Sequence, residues 1–307
     1  MTEAISLAID AAESKLPSIK RRLEEPMKNH TSFRIGGPVR AMYFPESAVD
    51  LTELYGVLQE HNVKPLIVGN GTNLLVDDNP LEMIAVKTTG LGIIEHTGET
   101  EITAGAGVLL SKLAMFALEY GLSGFEFAHG IPGSLGGAVT MNAGAYGDEM
   151  KSVIDLTTAY DMVSGKLDIA GEEHGFSYRH SRFSDTGEIV LNSRIKLIKA
   201  DKESIKAKMD ELSARRRESQ PMDLPSAGSI FKRPKGGYAA ALIEQAGLKG
   251  YAFGGAQVSE KHAGFIVNRG GALFSDVTAI IEHIRETVLK RFGIELESEI
   301  KIIKQSM

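Results

Sequence analysis

The sequence predicts an α+β protein of two or three domains, and three patterns carry that expectation. A helix, a short apolar strand and a glycine-broken loop follow one another across residues 48 to 76. Residues 150 to 200 turn to β-branched, alternating runs. An amphipathic helix near residue 205 then gives way to the proline- and serine-rich stretch SQPMDLPSAGS, after which helical and alternating patterns resume. With 307 residues the chain can bury more than one core.

In chain order, residues 48 to 61 put Leu51, Leu54 and Leu58 on one helical face. KPLIVGNGTNLLV follows, a buried-strand pattern from Leu66 to Val68 broken by Gly69 and Gly71. LSKLAMFALEYG spaces Leu110, Leu113, Phe116 and Ala117 as one face of a helix that Gly121 stops, just before the glycine-rich stretch GIPGSLGGAVTMNAGAYG of residues 130 to 147. RIKLIK sets Ile195 and Leu197 on one face and reads as antiparallel sheet. KESIKAKMDELSARRRE is amphipathic through Ile205, Met209 and Leu212, so a domain boundary is expected near residues 205 to 225. Beyond it come helical GGYAAALIEQAGL, the strand AGFIVN, and a long helix through Val277, Ile280, Ile281, Ile284 and Val288 that ends at Gly293. The tail IELESEIKII alternates, which predicts a strand with Ile294, Leu296, Ile300 and Ile302 on one side and Glu295, Glu297, Glu299 and Lys301 on the other.

Composition narrows the function. At 43% hydrophobic and 24% charged residues, the chain is too apolar for disorder. No uninterrupted apolar run is long enough to span a bilayer, and the charges of MTEAISLAIDAAESKLPSIKRR fall in the wrong order for a secretory signal, so a cytoplasmic protein without membrane partners is expected. The absence of cysteine excludes disulfides, thiolate metal sites and cysteine nucleophiles. A net charge of -6 argues against a nucleic-acid partner, since phosphate contacts demand a basic face and the only basic run, Arg215 to Arg217, is short.

Clustered glycines let backbone N–H groups approach a ligand, and two clusters, GNGTN at 69 to 73 and GIPGSLGGA at 130 to 138, suggest a diphosphate held from two sides. Tight turns and close packing are the alternative. Neither cluster fits G-x-x-x-x-G-K-[ST] or G-x-G-x-x-G, which disfavours Walker and Rossmann sites. PGSLG fails as a nucleophile elbow because Pro132 occupies the first glycine position, so Ser134 reads as a hydrogen-bond donor rather than a nucleophile.

NHTSFRIGGP (29–38), VGNGTNLLV (68–76), GIPGSLGGAVTMNAGAYG, YRHSRF (178–183), GSIFKRP (228–234), KHAGFIVN (261–268) and LESEIKII (296–303) run in that order over nearly the whole chain. Together they resemble the UDP-N-acetylenolpyruvoylglucosamine reductase family. GNGTN and the glycine-rich stretch alone would resemble only the wider group of vanillyl-alcohol-oxidase-like flavoproteins. The resemblance implies that group's PCMH-type, two-lobed FAD-binding domain followed by a C-terminal α+β substrate domain. Its lobes would cover residues 1–90 and 91–205 and the substrate domain 206–297, with a last strand at 298–307 returning to the first lobe. It also implies non-covalent FAD, NADPH as reductant, a small sugar-nucleotide substrate and no obligate protein partner. The implied reaction reduces an enolpyruvyl ether to the lactyl ether of UDP-N-acetylmuramate.

For the cofactor the resemblance assigns Val68, Gly69, Asn70, Gly71, Thr72, Asn73 and Leu74, then Gly130, Ile131, Pro132, Gly133, Ser134, Gly136, Gly137, Ala138, Asn142 and Gly144. Hydride delivery to C3 leaves negative charge at C2 and on the carboxylate, so the site needs cationic or hydrogen-bonding groups and a proton donor. Ser229 matches the family's proton donor, Arg179 the residue that polarises the substrate carboxylate, and Glu299 the glutamate that stabilises the enol-like intermediate. Tyr146, Arg233 and Lys301 fall where family members contact substrate. Without the resemblance, Ser229 reads as a turn cap, Arg179 as a surface ion-pair partner and Glu299 as part of a solvated strand face. The resemblance is to the shorter type, because nothing between residues 183 and 190 supplies the tyrosine-bearing loop of longer members. His30, His129, His180 and His262 lie inside motifs but in no H-E-x-x-H spacing, so no catalytic metal is expected. Two other functions compete: an FAD oxidase of a sugar or alcohol on the same fold, and a non-enzymatic nucleotide-sugar binding module.

Overall fold

The apolar stripes of the sequence are the buried faces of its helices. Leu51, Leu54 and Leu58 are all fully buried on helix Ala48–Glu60, which opens with a reciprocal cap: the Asp50 N–H donates to Ser47 Oγ at 3.1 Å and the Ser47 N–H to Asp50 Oδ2 at 3.0 Å. Helix Leu110–Glu119 buries Leu110, Leu113 and Ala117 and leaves Phe116 half-buried, while Gly121 turns the chain away at φ +66. Helix Lys202–Ser219 buries Ile205, Met209 and Leu212. Val277, Ile280, Ile281, Ile284 and Val288 are buried along helix Phe274–Phe292, each such side chain worth about 1.5–3 kcal/mol by transfer. Gly293 ends that helix at φ +67, its N–H donating to the Leu289 carbonyl at 2.8 Å.

The computed structural model describes residues 2–305, in two units with separate cores. The first comprises Met1–Leu23, Ala41–Asn70 and Met83–Arg215. Its main feature is a five-stranded antiparallel sheet in the order Gly165–Ala170, Ile154–Asp161, Ile189–Lys196, Glu101–Gly105, Ile94–Gly98. Ile195 and Leu197 both face its core. A second sheet orders Lys20–Pro26, Pro38–Phe44, Leu81–Lys87 and Leu66–Val68, the last two parallel with Val68 opposite Lys87.

The second unit comprises Glu24–Arg40, Gly71–Glu82 and Arg216–Met307. Its antiparallel sheet runs Ser226–Ser229, Phe265–Asn268, Ala256–Val258, Ala252–Phe253, packed with helices Ala239–Gln245 and Phe274–Phe292. Leu74–Val76 and Lys301–Ile303 form a separate parallel pair. Here the tail departs from its alternating pattern. Only Lys301–Ile303 is strand, and Leu296, Ile300 and Ile303 are buried while Ile302 stays 36% exposed. Residues 294 to 300 instead follow an irregular path tied to Ile230 and Lys232, so the phase of the short strand is set by its partner at Leu74–Val76 rather than by its own pattern. No helix among the described residues is long and apolar enough to cross a membrane.

Candidate active site

In the first unit Gly69 and Asn70, which open the first glycine cluster, meet the second cluster. Strand Leu66–Val68 delivers Gly69 and Asn70, and the Asn70 side-chain amide donates to the Pro132 carbonyl at 2.5 Å. The stretch after Gly133 is sewn onto residues 106 to 110: Leu135 N–H donates to Val108 O and Gly136 N–H to Ala106 O, both at 2.8 Å. A Cβ on Gly69 would come within 2.3 Å of Ser134 Oγ, and one on Gly136 within 2.8 Å of the Ala106 Cβ. Gly136 is therefore demanded by packing, whereas at Gly69 the Ser134 hydroxyl would have to turn aside. Gly137 differs, since a Cβ there would meet only Ser134 Oγ, at 3.8 Å. Ser134 precedes helix Leu135–Thr140 with extended backbone, yet its hydroxyl makes no capping bond; it is buried and without a hydrogen-bond partner. A buried hydroxyl left so costs about 1–3 kcal/mol, which an oxygen-rich anion would offset. A cradle with an orphaned donor and an open glycine fits the FAD diphosphate.

Lys87, opposite Val68 in register, is 9% exposed, and burial pushes its ammonium down to about 8. Sequence reading passed over it. The available sign was a lysine closing the apolar run IAV, where a buried strand would carry another apolar residue.

Three assigned residues of this unit hold left-handed backbone without being glycine: Asn142 at φ +46, Tyr146 at +59 and Arg179 at +56. Such conformations persist only where surrounding contacts impose them, and they concentrate at functional sites. Asn142 is fully buried; its amide donates to Ser177 O at 2.9 Å and its Oδ1 accepts from Lys151 N–H at 2.9 Å. The Arg179 guanidinium donates to Gly144 O at 3.2 Å and lies 5.2 Å from the Tyr178 ring centroid. The Tyr146 hydroxyl donates to Leu212 O at 3.2 Å, and the Arg215 guanidinium sits 5.1 Å over its ring. A Cβ on Gly144 would strike Asp148 O at 2.5 Å, so its glycine serves the hairpin it opens.

In the second unit Ser229, Glu299 and Lys301 are neighbours through their backbones. Ser229 ends a strand whose register slips between Ser226 and Ser229, with Gly228 at φ +79. Ile230 N–H donates to Gly264 O at 2.9 Å, and Ile230 O accepts from Glu299 N–H at 2.7 Å. Asn73 joins them: its amide donates to Glu299 O at 3.1 Å, and its own carbonyl accepts from Lys301 N–H at 2.9 Å. Ser229 and Glu299 are half-buried and Lys301 is exposed. Arg233 lies on an exposed stretch, its guanidinium 4.3 Å over the Tyr238 ring. Gly71, Thr72 and Leu74 also belong to this unit, and a Cβ on Gly71 would meet His30 O at 1.9 Å, so its φ of +69 answers a packing need.

The motif histidines have separate partners. His30 faces Glu25 at 2.8 Å, His129 faces Ser213 at 3.1 Å and His180 faces Asp185 at 3.0 Å, while His262 Nδ1 accepts from Gly264 N–H at 3.2 Å. Among the described residues no three His, Asp or Glu side chains gather in a metal-ligating group.

Residues 220–303 match the family described as UDP-N-acetylenolpyruvoylglucosamine reductase, C-terminal domain, and residues 39–169 match the FAD binding domain family. A UDP-N-acetylenolpyruvoylglucosamine reductase of Caldanaerobacter subterraneus subsp. tengcongensis is 49% identical over 97% of the chain and 98% of its own length. One of Agathobacter rectalis is 44% identical over 96% and 98%. The crystal structure of UDP-N-acetylenolpyruvylglucosamine reductase from Thermus caldophilus superposes with a TM-score of 0.79 at 33% identity, covering 93% of the chain and 99% of that one.

Proposed function

Because the chain belongs to the UDP-N-acetylenolpyruvoylglucosamine reductase family, an FAD-dependent, NADPH-oxidising enzyme of peptidoglycan synthesis built on the PCMH-type fold, we propose that Arg179, Ser229 and Glu299 carry its chemistry. The reaction reduces the enolpyruvyl ether of UDP-N-acetylglucosamine to UDP-N-acetylmuramate. Bound FAD supplies the hydride relay between NADPH and the substrate.

The protein's own residues bind, polarise and move a proton. Ser134, Gly69, Asn70 and Gly137 would hold the diphosphate of the cofactor. Arg179 presents a planar fork to the substrate carboxylate and draws charge toward it as hydride reaches C3. Ser229 gives the proton to C2. A serine hydroxyl is a weak acid, so it depends on neighbours that relay or stabilise charge. Glu299, two residues before Lys301, hydrogen-bonds the enol-like intermediate as a neutral acid, since an ionised carboxylate would repel the developing charge. Tyr146, Arg233 and Lys301 complete the grip on the sugar nucleotide. The observation that carries this assignment is the 2.7 Å bond from Glu299 N–H to Ile230 O, which supports a joint role for Glu299 and the serine preceding Ile230.

The enzyme acts in the cytoplasm on a diffusible substrate, without an obligate protein partner, and supplies the precursor on which cell shape and division depend. The test is a spectrum of the purified protein followed by anaerobic NADPH titration. A yellow protein that bleaches with NADPH and recovers its colour on adding the enolpyruvyl sugar nucleotide supports the proposal. A colourless protein, or one that stays bleached with the anaerobic sugar nucleotide and recovers only with oxygen, contradicts it.

A further inference from the structure

His174 lies five residues before Arg179 and is fully buried. Both ring nitrogens are engaged: Nδ1 is 3.0 Å from the Gly171 carbonyl and Nε2 is 3.0 Å from Thr157 Oγ1, which is itself 3.0 Å from Ser193 Oγ. A carbonyl only accepts, so Nδ1 bears the proton. Nε2 of the neutral ring then accepts from Thr157, whose oxygen accepts from Ser193. Thr157 and Ser193 are fully buried register partners on adjacent strands of the five-stranded sheet, so the ring orientation is anchored to a rigid element. Burial, the largest cause, and the nearby Arg182 guanidinium hold the imidazole below its usual range, against the opposing pull of the Gly171 carbonyl, Glu173 and Asp155.

The ring stacks on Phe176 at 4.7 Å and 7° and meets Phe183 edge-on at 6.2 Å. Between these two phenylalanines the chain closes a tight turn, with Ser177 N–H donating to His180 O at 3.0 Å and His180 N–H to Ser177 O at 3.2 Å. Arg179 sits inside that turn at φ +56. From the other side, Asn142 donates to Ser177 O and Ser181 Oγ donates to Thr140 O at 2.6 Å. Left-handed backbone at an arginine must be imposed from outside, and these contacts surround the turn that holds it.

We propose that His174 is a positioning residue: through Phe176, Phe183 and the Thr157–Ser193 hydroxyls it clamps the Ser177–His180 turn and so fixes where Arg179 presents its guanidinium. The proposal rests on Arg179 being the group that binds the substrate carboxylate.

The experiment compares His174→Ala, His174→Asn and Thr157→Val with Arg179→Lys in the FAD-loaded enzyme. It measures flavin content, substrate Kd, the rate of flavin reduction by NADPH and the rate of reoxidation by substrate. His174→Ala should weaken substrate binding about tenfold and slow reoxidation by at least as much, with flavin content and reduction rate within twofold of the parent. Asparagine can place its amide nitrogen where Nδ1 lies and keep the Gly171 bond, so His174→Asn should recover most of the affinity. Thr157→Val, which removes one hydroxyl at nearly constant shape, should weaken substrate binding about threefold; it carries the test if His174→Ala does not fold. Equal slowing of both half-reactions, or unchanged substrate Kd in both His174→Ala and Thr157→Val, overturns the proposal. Parent-like substrate Kd and turnover in Arg179→Lys overturns the Arg179 assignment instead, and the two failures are told apart by which variant is silent.

Discussion

Glu299 donates its backbone N–H to the carbonyl of Ile230 at 2.7 Å, and Asn73 reaches the carbonyl of Glu299 from a different part of the chain at 3.1 Å. Glu299 is thus fixed by its backbone on both sides, which sets where its side chain starts from. Replacement by glutamine keeps a hydrogen-bond donor, whereas alanine removes it. Glu299→Ala should lower turnover about tenfold more than Glu299→Gln, the worth of one hydrogen bond to a charged group. Equal losses in steady-state kcat would mean that a negative charge is what the reaction uses.

Gly137 offers a test of the cofactor cradle that spares the fold. Because a Cβ there meets only Ser134 Oγ at 3.8 Å, Gly137→Val should leave the apoprotein's thermal midpoint close to the parent's and abolish FAD retention on gel filtration. By contrast, Gly136→Val drives its side chain into Ala106 and should impair folding itself. A yellow, fully loaded Gly137→Val protein would place the diphosphate elsewhere.

The helices of both units were legible in the sequence because a 3.6-residue stripe such as Leu51, Leu54, Leu58 needs only one core to face. The tail was not, because its strand pairs with Leu74–Val76, and a parallel partner so remote in sequence sets which of Ile302 and Ile303 is buried. In the candidate site, glycine clustering announced a close backbone approach but not its cause: Gly71 and Gly136 make room for His30 and Ala106, while Gly137 is open. Lys87 and His174 passed unnoticed since their burial is a tertiary property. The left-handed backbone of Arg179 was equally invisible, as arginine has no preference for it.

Arg179→Lys keeps the charge and loses the fork. The variant should lose about 10- to 100-fold in kcat/KM for the enolpyruvyl substrate, the range expected when a charge-assisted hydrogen bond is removed. Steady-state kinetics at several substrate concentrations checks it, and parent-like kcat/KM would reassign the carboxylate contact.

Acid should destabilise the protein earlier than its carboxylates alone would predict. Burial, first among the causes, holds His129, His174 and His262 below the ordinary imidazole range, so the unfolded chain takes up their protons first. Their contribution is intact above about pH 6.5 and declines as pH falls through that value toward the lower folded-state values. Urea midpoints at pH 7.5 and 5.5 should therefore fall with pH, and less steeply in His174→Asn. An unchanged or higher midpoint at pH 5.5 would contradict the preference of these rings for the neutral form in the folded protein.

The division of labour between the half-reactions is the central claim, and Ser229→Ala tests it most directly. Flavin reduction by NADPH needs no proton at C2, so stopped-flow bleaching should run close to the parent rate. Reoxidation by the enolpyruvyl sugar nucleotide should slow roughly 10²- to 10⁴-fold, the usual cost of losing a positioned acid. If both half-reactions slow equally, Ser229 holds the site together instead of donating a proton; if neither slows, the donor is another group, and the assignment of Ser229 is wrong.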